Sequence, residues 1–263
     1  MRFIEQMLRQ TWDYVRDRHL DAANLQTTSK KGDSADLVTE ADYEVQRRIE
    51  QALKEAFPGD AVVAEESGRD TVPDDPKGRC WLLDPIDGTH NFARGLIPCF
   101  GVSLAFADRG EVRAAGISLP GLGQTFLAQR GGGATRNAKP IRVSQLADLS
   151  ESRLEIDFMR RSRRGHTLTA ASAVLDAVGQ VRAHGACVVG MVNVAAGTAE
   201  GFMHIGPHPW DYAAGMLIIR EAGGRVTRFD GSDPGLFDDG VGLLCSNGVE
   251  HENLRNLINS AMK

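Results

Sequence analysis

The sequence has no run that approaches the ~20 apolar residues of a membrane span. Nor does it open like a secretory leader, since Met1-Arg2-Phe3-Ile4-Glu5-Gln6 turns charged at once. No membrane partner is expected, and the expected location is the cytoplasm. Cysteine is scarce: Cys80, Cys99, Cys187 and Cys245 are far apart and form no C-x-x-C pair. They read as buried thiols in a reducing compartment. Basic charge is not in excess, with 30 Lys and Arg against 35 Asp and Glu and a formal net charge of -5. That excludes a nucleic-acid binder whose whole surface is basic. Gly131-Gly132-Gly133 lacks the lysine and hydroxyl of a P-loop and reads as turn geometry. There is no internal repeat and no low-complexity linker.

What is present is an ordinary globular composition over 263 residues, enough for one large domain or two tightly packed halves. Phe3, Ile4, Met7, Leu8, Trp12 and Val15 recur at three- and four-residue spacings, which predicts a helix over 2–20. A second helix is predicted over 40–57, closed by Pro58-Gly59. Ala61–Ala64 and Cys80–Leu83 read as strands, the latter stopping at Asp84-Pro85. A meander follows, with strands over 100–107, 112–119 and 125–128. From about residue 149 the texture changes. Strands over 153–157, 181–184, 225–229 and 241–245 alternate with helices over 166–178, 190–197, 210–223 and 249–262, which reads as α/β layering. The expectation is a single domain over 1–263. Its N-terminal half, about 1–148, is α+β, and its C-terminal half, about 149–263, is α/β.

Four acidic clusters stand out: Asp36-Leu37-Val38-Thr39-Glu40-Ala41-Asp42; Glu65-Glu66-Ser67 after a predicted strand; Trp81 to Phe92, containing Asp84-Pro85-Ile86-Asp87-Gly88-Thr89; and Pro209-Trp210-Asp211-Tyr212-Ala213-Ala214-Gly215 at a helix start. In the third, Asp84 ends an apolar strand and Pro85 bars helical continuation. Asp87 follows three residues on, so a turn can aim both carboxylates at one point. Gly88 lets the backbone approach a ligand, and the Gly88 and Thr89 N–H groups can cradle a phosphate. Converging carboxylates repel one another and raise each other's pKa. Divalent cations resolve the conflict, and two of them ~3.5–4 Å apart clamp an in-line displacement at phosphorus.

These motifs, in this order and over nearly the whole chain, resemble the inositol monophosphatase family of lithium-sensitive, metal-dependent phosphatases. The resemblance implies a layered α/β/α/β/α sandwich, a homodimer, and hydrolysis of a small phosphate monoester by a metal-activated water with two or three Mg²⁺ ions. It further implies that Glu65 binds metal, that Asp84 bridges two metals, and that Ile86 offers its carbonyl. Asp87 and Asp211 would hold a second metal, while Asp42 and Thr89 would orient the attacking water. Gly88 and Thr89 would bind phosphate, and Glu66 would stand behind the ligands or hold a third metal.

Other residues have plainer readings. Asp36 reads as a turn or cap, Thr39 as structural and Cys187 as a small buried hydrophobe. His204 and His208 are four apart, but Gly206, Pro207 and Pro209 exclude the helix that a zinc pair needs. Arg160, Arg161, Arg163 and Arg164 read as a solvated run or as a clamp for a second anionic group. The pattern also departs from the inositol-preferring members. His204 stands where they usually carry an acid, and Ala186 and Cys187 follow Gly185 where a Ser or Thr commonly comes first. The substrate wall formed by Asp87, Ala186, Cys187, His204 and Asp211 is therefore altered, and myo-inositol 1-phosphate is not the expected best substrate. Histidinol phosphate, fructose 1,6-bisphosphate and 3′-phosphonucleotides are alternatives. A reading of another class is a regulatory protein of transcription complexes. A nucleic-acid partner is not expected.

Overall fold

The computed structural model describes residues 1–30, 37–68, 71–95, 97–158, 164–238 and 240–262. Helix α1 (Arg2–Leu20) buries Ile4, Met7, Leu8, Thr11 and Val15 along one face, as an amphipathic period requires. A short antiparallel pair, β1 (Thr27–Ser29) and β2 (Leu37–Thr39), leads into α2 (Glu40–Ala56). Thr39 caps α2. Its Oγ1 accepts from the Ala41 N–H at 3.2 Å, and Asp42 accepts from the Thr39 N–H at 2.8 Å. This reciprocal pair fixes where the helix begins.

The first sheet orders its strands as in the chain: β3 (Ala61–Ala64), β4 (Cys80–Asp87), β5 (Gly101–Asp108), β6 (Glu111–Leu119), β7 (Gln124–Gln129), β8 (Gly133–Arg136) and β9 (Lys139–Pro140). The β3–β4 pair is parallel, and the later pairs form the expected antiparallel meander. One expectation is corrected. β4 does not stop at Asp84-Pro85 but continues to Asp87, and its pairing with β5 shifts register between Asp84 and Asp87. Proline cannot donate to a ladder, and an irregularity lets the strand absorb it.

The second sheet has the order β11 (Gln180–Arg182), β10 (Arg153–Ile156), β12 (Gly201–Ile205), β14 (Gly242–Ser246) and β13 (Arg225–Arg228). β10 is parallel to β11 and β12, and the other pairs are antiparallel. β12 lies at the centre of this sheet, although the sequence reading places no strand there. All five of its residues are buried. Phe202 faces one layer while Met203 and Ile205 face the other, and burial on both faces removes the alternation that marks a strand.

A short α3 (Thr89–Ala93) follows β4, and four further helices complete the layers: α4 (Arg164–Leu175), α5 (Cys187–Ala195), α6 (Pro209–Glu221) and α7 (His251–Ala261). Helix α5 starts three residues before its predicted beginning at 190. It is apolar nearly all round, because it lies between the two sheets.

Side-chain parity sets the stack. Trp81 and Leu83 of β4 pack with α1 and α2, whereas Cys80 and Leu82 pack toward α5 and α6. Phe202, Val226 and Cys245 of the second sheet share that middle helical layer. Leu154, Ile156 and Met203 pack outward with Ala170 and Val174 of α4 and Leu254 and Ile258 of α7. The order is α/β/α/β/α, as the family resemblance implies. All four cysteines are buried free thiols. Among the described residues, no helix is long and apolar enough to cross a membrane.

Candidate active site

The carboxyl ends of β3 and β4 open the site. Ala64 and Leu83 are partners on these parallel strands, so Glu65 and Asp84 are the next residues side by side. Asp84 shares the parity of Cys80 and Leu82 and points toward the middle helical layer. Across the ladder its partner is Ser103, whose Oγ donates to the Trp210 carbonyl at 3.2 Å. That bond seats the start of α6, and hence Asp211, beside Asp84. Asp211 accepts from the His208 N–H at 2.7 Å. It holds its helix as Asp42 holds α2, a carboxylate in the first turn reaching back to the backbone.

The electrostatics follow from this convergence. Burial pushes the Asp84 carboxyl well above its ordinary range, and the charges of Glu65, Asp87 and Asp211 push it further. Burial also raises Asp211, with Asp87 and Glu65 adding to it. Asp87 is pushed up to about 7 by burial and by the charges of Asp157 and Glu65, against the opposing Val188 and Gly88 N–H bonds. Asp42 also rises to about 7, first through burial and then through Glu65 and Glu66, while its bonds to Thr39 oppose the shift. Such a set is costly without a cation.

The donors fit one. They are hard oxygens, and the buried Asp84 Oδ1 has no hydrogen-bond partner, which suits Mg²⁺. Among the described residues, no three His, Cys, Asp or Glu side chains close into a ready metal shell. Instead Lys30 occupies part of the space. Its Nζ donates to Glu65 Oε1 at 2.8 Å and to Glu66 Oε1 at 2.7 Å. The sequence reading missed Lys30, whose only signal is a lysine shortly before the first acidic cluster.

The remaining candidates fall as follows. Thr89 Oγ1 lies 2.9 Å from the Ile86 carbonyl and 3.5 Å from Asp42 Oδ1. Its short bond is therefore to the carbonyl expected to face metal, and the expected partner Asp42 is at the limit of hydrogen-bond range. Gly88 has φ +85°, and a Cβ there would sit 2.8 Å from the Cys99 carbonyl oxygen and 2.9 Å from Ala186 Cβ. Only glycine fits this point. The Gly88 N–H bonds the Asp87 carboxyl. Cys187 is buried, with its Sγ 3.8 Å from Met191 Sδ, and burial raises its thiol well above the ordinary range. His204 is on β12, its Nε2 3.9 Å from Asp157 Oδ2. Asp157 follows Ile156, the partner of Met203, so the two side chains are neighbours on adjacent strands. Thr39 is the α2 cap. Asp36, Arg160, Arg161 and Arg163 lie outside the described residues, and Arg164 begins α4.

The layered frame and its convergent buried carboxylates fit a phosphate-ester hydrolase, the class to which the family model and relatives assign the chain. The chain belongs to the inositol monophosphatase family, whose sequence model matches residues 4–263. It is 34% identical over 247 residues to the fructose-1,6-bisphosphatase/inositol-1-monophosphatase of Thermotoga maritima, covering 89% of this chain and 87% of that one. It is 36% identical over 234 residues to the histidinol-phosphatase of Chlorobaculum parvum, covering 88% and 86%. The crystal structure of the extragenic suppressor protein suhB from Bartonella henselae superposes with a TM-score of 0.90 at 30% identity, over 98% and 97% of the two chains.

Proposed function

We propose that this chain is a magnesium-dependent phosphomonoesterase whose leaving-group preference is shifted away from myo-inositol 1-phosphate. The observation that carries this reading is Asp84: a buried carboxyl with an unpartnered Oδ1, raised by Glu65, Asp87 and Asp211 around it. Glu65, Asp84, Asp87, Asp211 and the Ile86 carbonyl would hold the metal. When bound, Mg²⁺ supplies the positive charge that neutralises phosphoryl oxygens and acidifies water.

The chain's own groups do the rest. The backbone at Thr89 orients the phosphate, with Gly88 letting the chain approach it and its N–H joining in once released from the Asp87 carboxyl. Thr89 and Asp42 orient the attacking water. Asp42, raised to about 7 by burial, takes the water's proton as its oxygen bonds phosphorus, and the bond to the alcohol breaks with the leaving oxygen taking a proton from a second water. No phosphoenzyme forms. Lithium, competing for a magnesium position, should inhibit.

The shift in preference rests on His204. A neutral imidazole offers one acceptor to vicinal hydroxyls, whereas a carboxylate offers about four. The Thermotoga and Chlorobaculum relatives carry the names of different phosphate esters, so this framework accommodates several alcohols. We infer a homodimer and a reducing, cytoplasmic setting, which four buried free thiols suit. The test is phosphate release from a panel of monoesters with Mg²⁺. Activity indifferent to chelators would overturn the reading. Asp87→Asn separates the regulatory alternative, because lost hydrolysis with retained biological phenotype would favour a binding role.

A further inference from the structure

Helix α5 begins with no side-chain cap of its own, since its N-cap is Ala186. The acceptor comes from another element. Asp87 Oδ2 accepts the Val188 N–H at 2.6 Å, the second position of the helix, where a capping oxygen normally binds. The aim of Asp87 therefore depends on where α5 starts, and what holds that start is a buried carboxylate on the second sheet.

Leu154 and Ile156 of β10 face outward into the α4–α7 layer. Glu155, between them, faces inward toward α5 and is only 4% exposed. Burying such a charge requires partners. Its Oε1 accepts from Asn193 Nδ2 of α5 at 2.6 Å, and its Oε2 lies 2.7 Å from His184 Nδ1. His184 immediately precedes Gly185-Ala186. Its carbonyl accepts from Asn91 Nδ2 at 2.7 Å, and the same amide donates to the Cys99 carbonyl at 2.7 Å. The Cys99 carbonyl and Ala186 Cβ are the two groups nearest a Cβ at Gly88. Glu155 thus grips α5 within the helix and in the segment before it, and the grip ends at Asp87 and Gly88.

We infer that Glu155, acting through His184 and Asn193, is a positioning residue that fixes the Asp87 carboxylate and the Gly88 turn for metal and phosphate. This rests on the magnesium reading above. Groups that orient a metal ligand from behind are worth about 10–100-fold in metal affinity.

The experiment measures Mn²⁺ binding to the full chain by calorimetry or by electron paramagnetic resonance of the free ion, alongside Tm. Glu155→Leu and His184→Ala should weaken Mn²⁺ by about tenfold or more, whereas Glu155→Gln should recover most of the affinity. Ile156→Ala is the control. It faces the opposite layer of the same strand and should lower Tm while leaving Mn²⁺ affinity unchanged. His184→Ala, at a partly exposed position, keeps the test open if Glu155→Leu fails to fold. Equal weakening by Ile156→Ala, or wild-type affinity in the Glu155 and His184 variants, would overturn the positioning role alone. No Mn²⁺ binding by the unaltered chain would bring down the magnesium reading with it.

Discussion

The Lys30 ammonium sits between two carboxylates of the site, 2.8 Å from Glu65 Oε1 and 2.7 Å from Glu66 Oε1. Burial would lower the Lys30 pKa, but Glu65 and Glu66 outweigh it and hold it above its ordinary range. A cation held this close competes with any metal that needs Glu65. Replacing it leaves two acids without their counter-charge.

Lys30→Met should therefore act in opposite directions on two quantities. Mn²⁺ or Mg²⁺ affinity should rise severalfold, because Glu65 no longer has to leave an ammonium. The metal-free protein should lose about 1–3 kcal/mol of stability, the cost of leaving partly buried charges unpaired. Calorimetric titration and denaturant unfolding in chelator measure the two. Weaker metal binding in the variant would mean that Lys30 supports the loaded site.

Asp87 and Asp42, both raised to about 7, make the metal-free protein sensitive to pH. Their folded pKa values lie above the unfolded value of about 4. The folded state then binds more protons at these two groups between pH 4 and 7, so the stability they contribute is fullest below 4 and is lost as pH rises through 7. Asp87→Asn removes one such charge. In chelator at pH 8 it should raise stability by about 2–3 kcal/mol, and it should lower hydrolysis with Mg²⁺ by at least about a thousandfold. Thermal melts from pH 4 to 8, compared with wild type, check the sign. A variant that melts lower than wild type at pH 8 contradicts the repulsion argument.

Much of this site is legible in the sequence, for a physical reason. Asp84, Asp87, Gly88 and Thr89 lie within six residues, so one strand and one turn place them together. Asp42 and Asp211 each sit three residues after a helix cap, where local geometry aims the carboxylate. Glu155, His184, Asp157 and Lys30 carry no such local signature. They meet their partners only when distant segments approach, as when His184 reaches Glu155 across 29 residues. A hint was available in Leu154-Glu155-Ile156, where a charge inside an apolar strand demands a buried partner. The fold divides in the same way. The meander was readable because one face alternates with the other, whereas β12 and the first turn of α5, buried on all sides, lose the periodicity that marks an element.

His251 provides a stability test remote from the carboxylates. It is fully buried, with Nε2 2.8 Å from Thr227 Oγ1 and Nδ1 2.7 Å from Ser246 Oγ. Burial, with help from Arg225, lowers its pKa to about 4. A folded pKa below the unfolded ~6.5 means the unfolded chain protonates first. The contribution of His251 is complete above pH 6.5 and is lost as pH falls toward 4. Nuclear magnetic resonance titration should show one imidazole that stays neutral to about pH 4, and His251→Gln should abolish that resonance. An imidazole at this position titrating near 6.5 would contradict the burial argument.

The sharpest test of specificity is the pair His204 and Asp157. They are neighbours at the ends of parallel strands β12 and β10, 3.9 Å apart, where ligands of layered α/β folds gather. Asp157 also raises Asp87 and Asp211 through its charge, which places the pair within electrostatic reach of the expected ligands. The carboxylate thus lies one strand over from the position the inositol-preferring members use. His204→Glu restores it there and adds acceptors for vicinal hydroxyls. The variant should gain about tenfold in kcat/KM for myo-inositol 1-phosphate, the worth of one well-placed hydrogen bond. Phenyl phosphate, with no hydroxyls to bind, should be hydrolysed as before. Steady-state kinetics on the two esters separates the outcomes. A gain on both would mean that residue 204 acts on the phosphate or the metal. A wild-type enzyme already favouring the inositol ester over the rest of a monoester panel would refute the shift in preference.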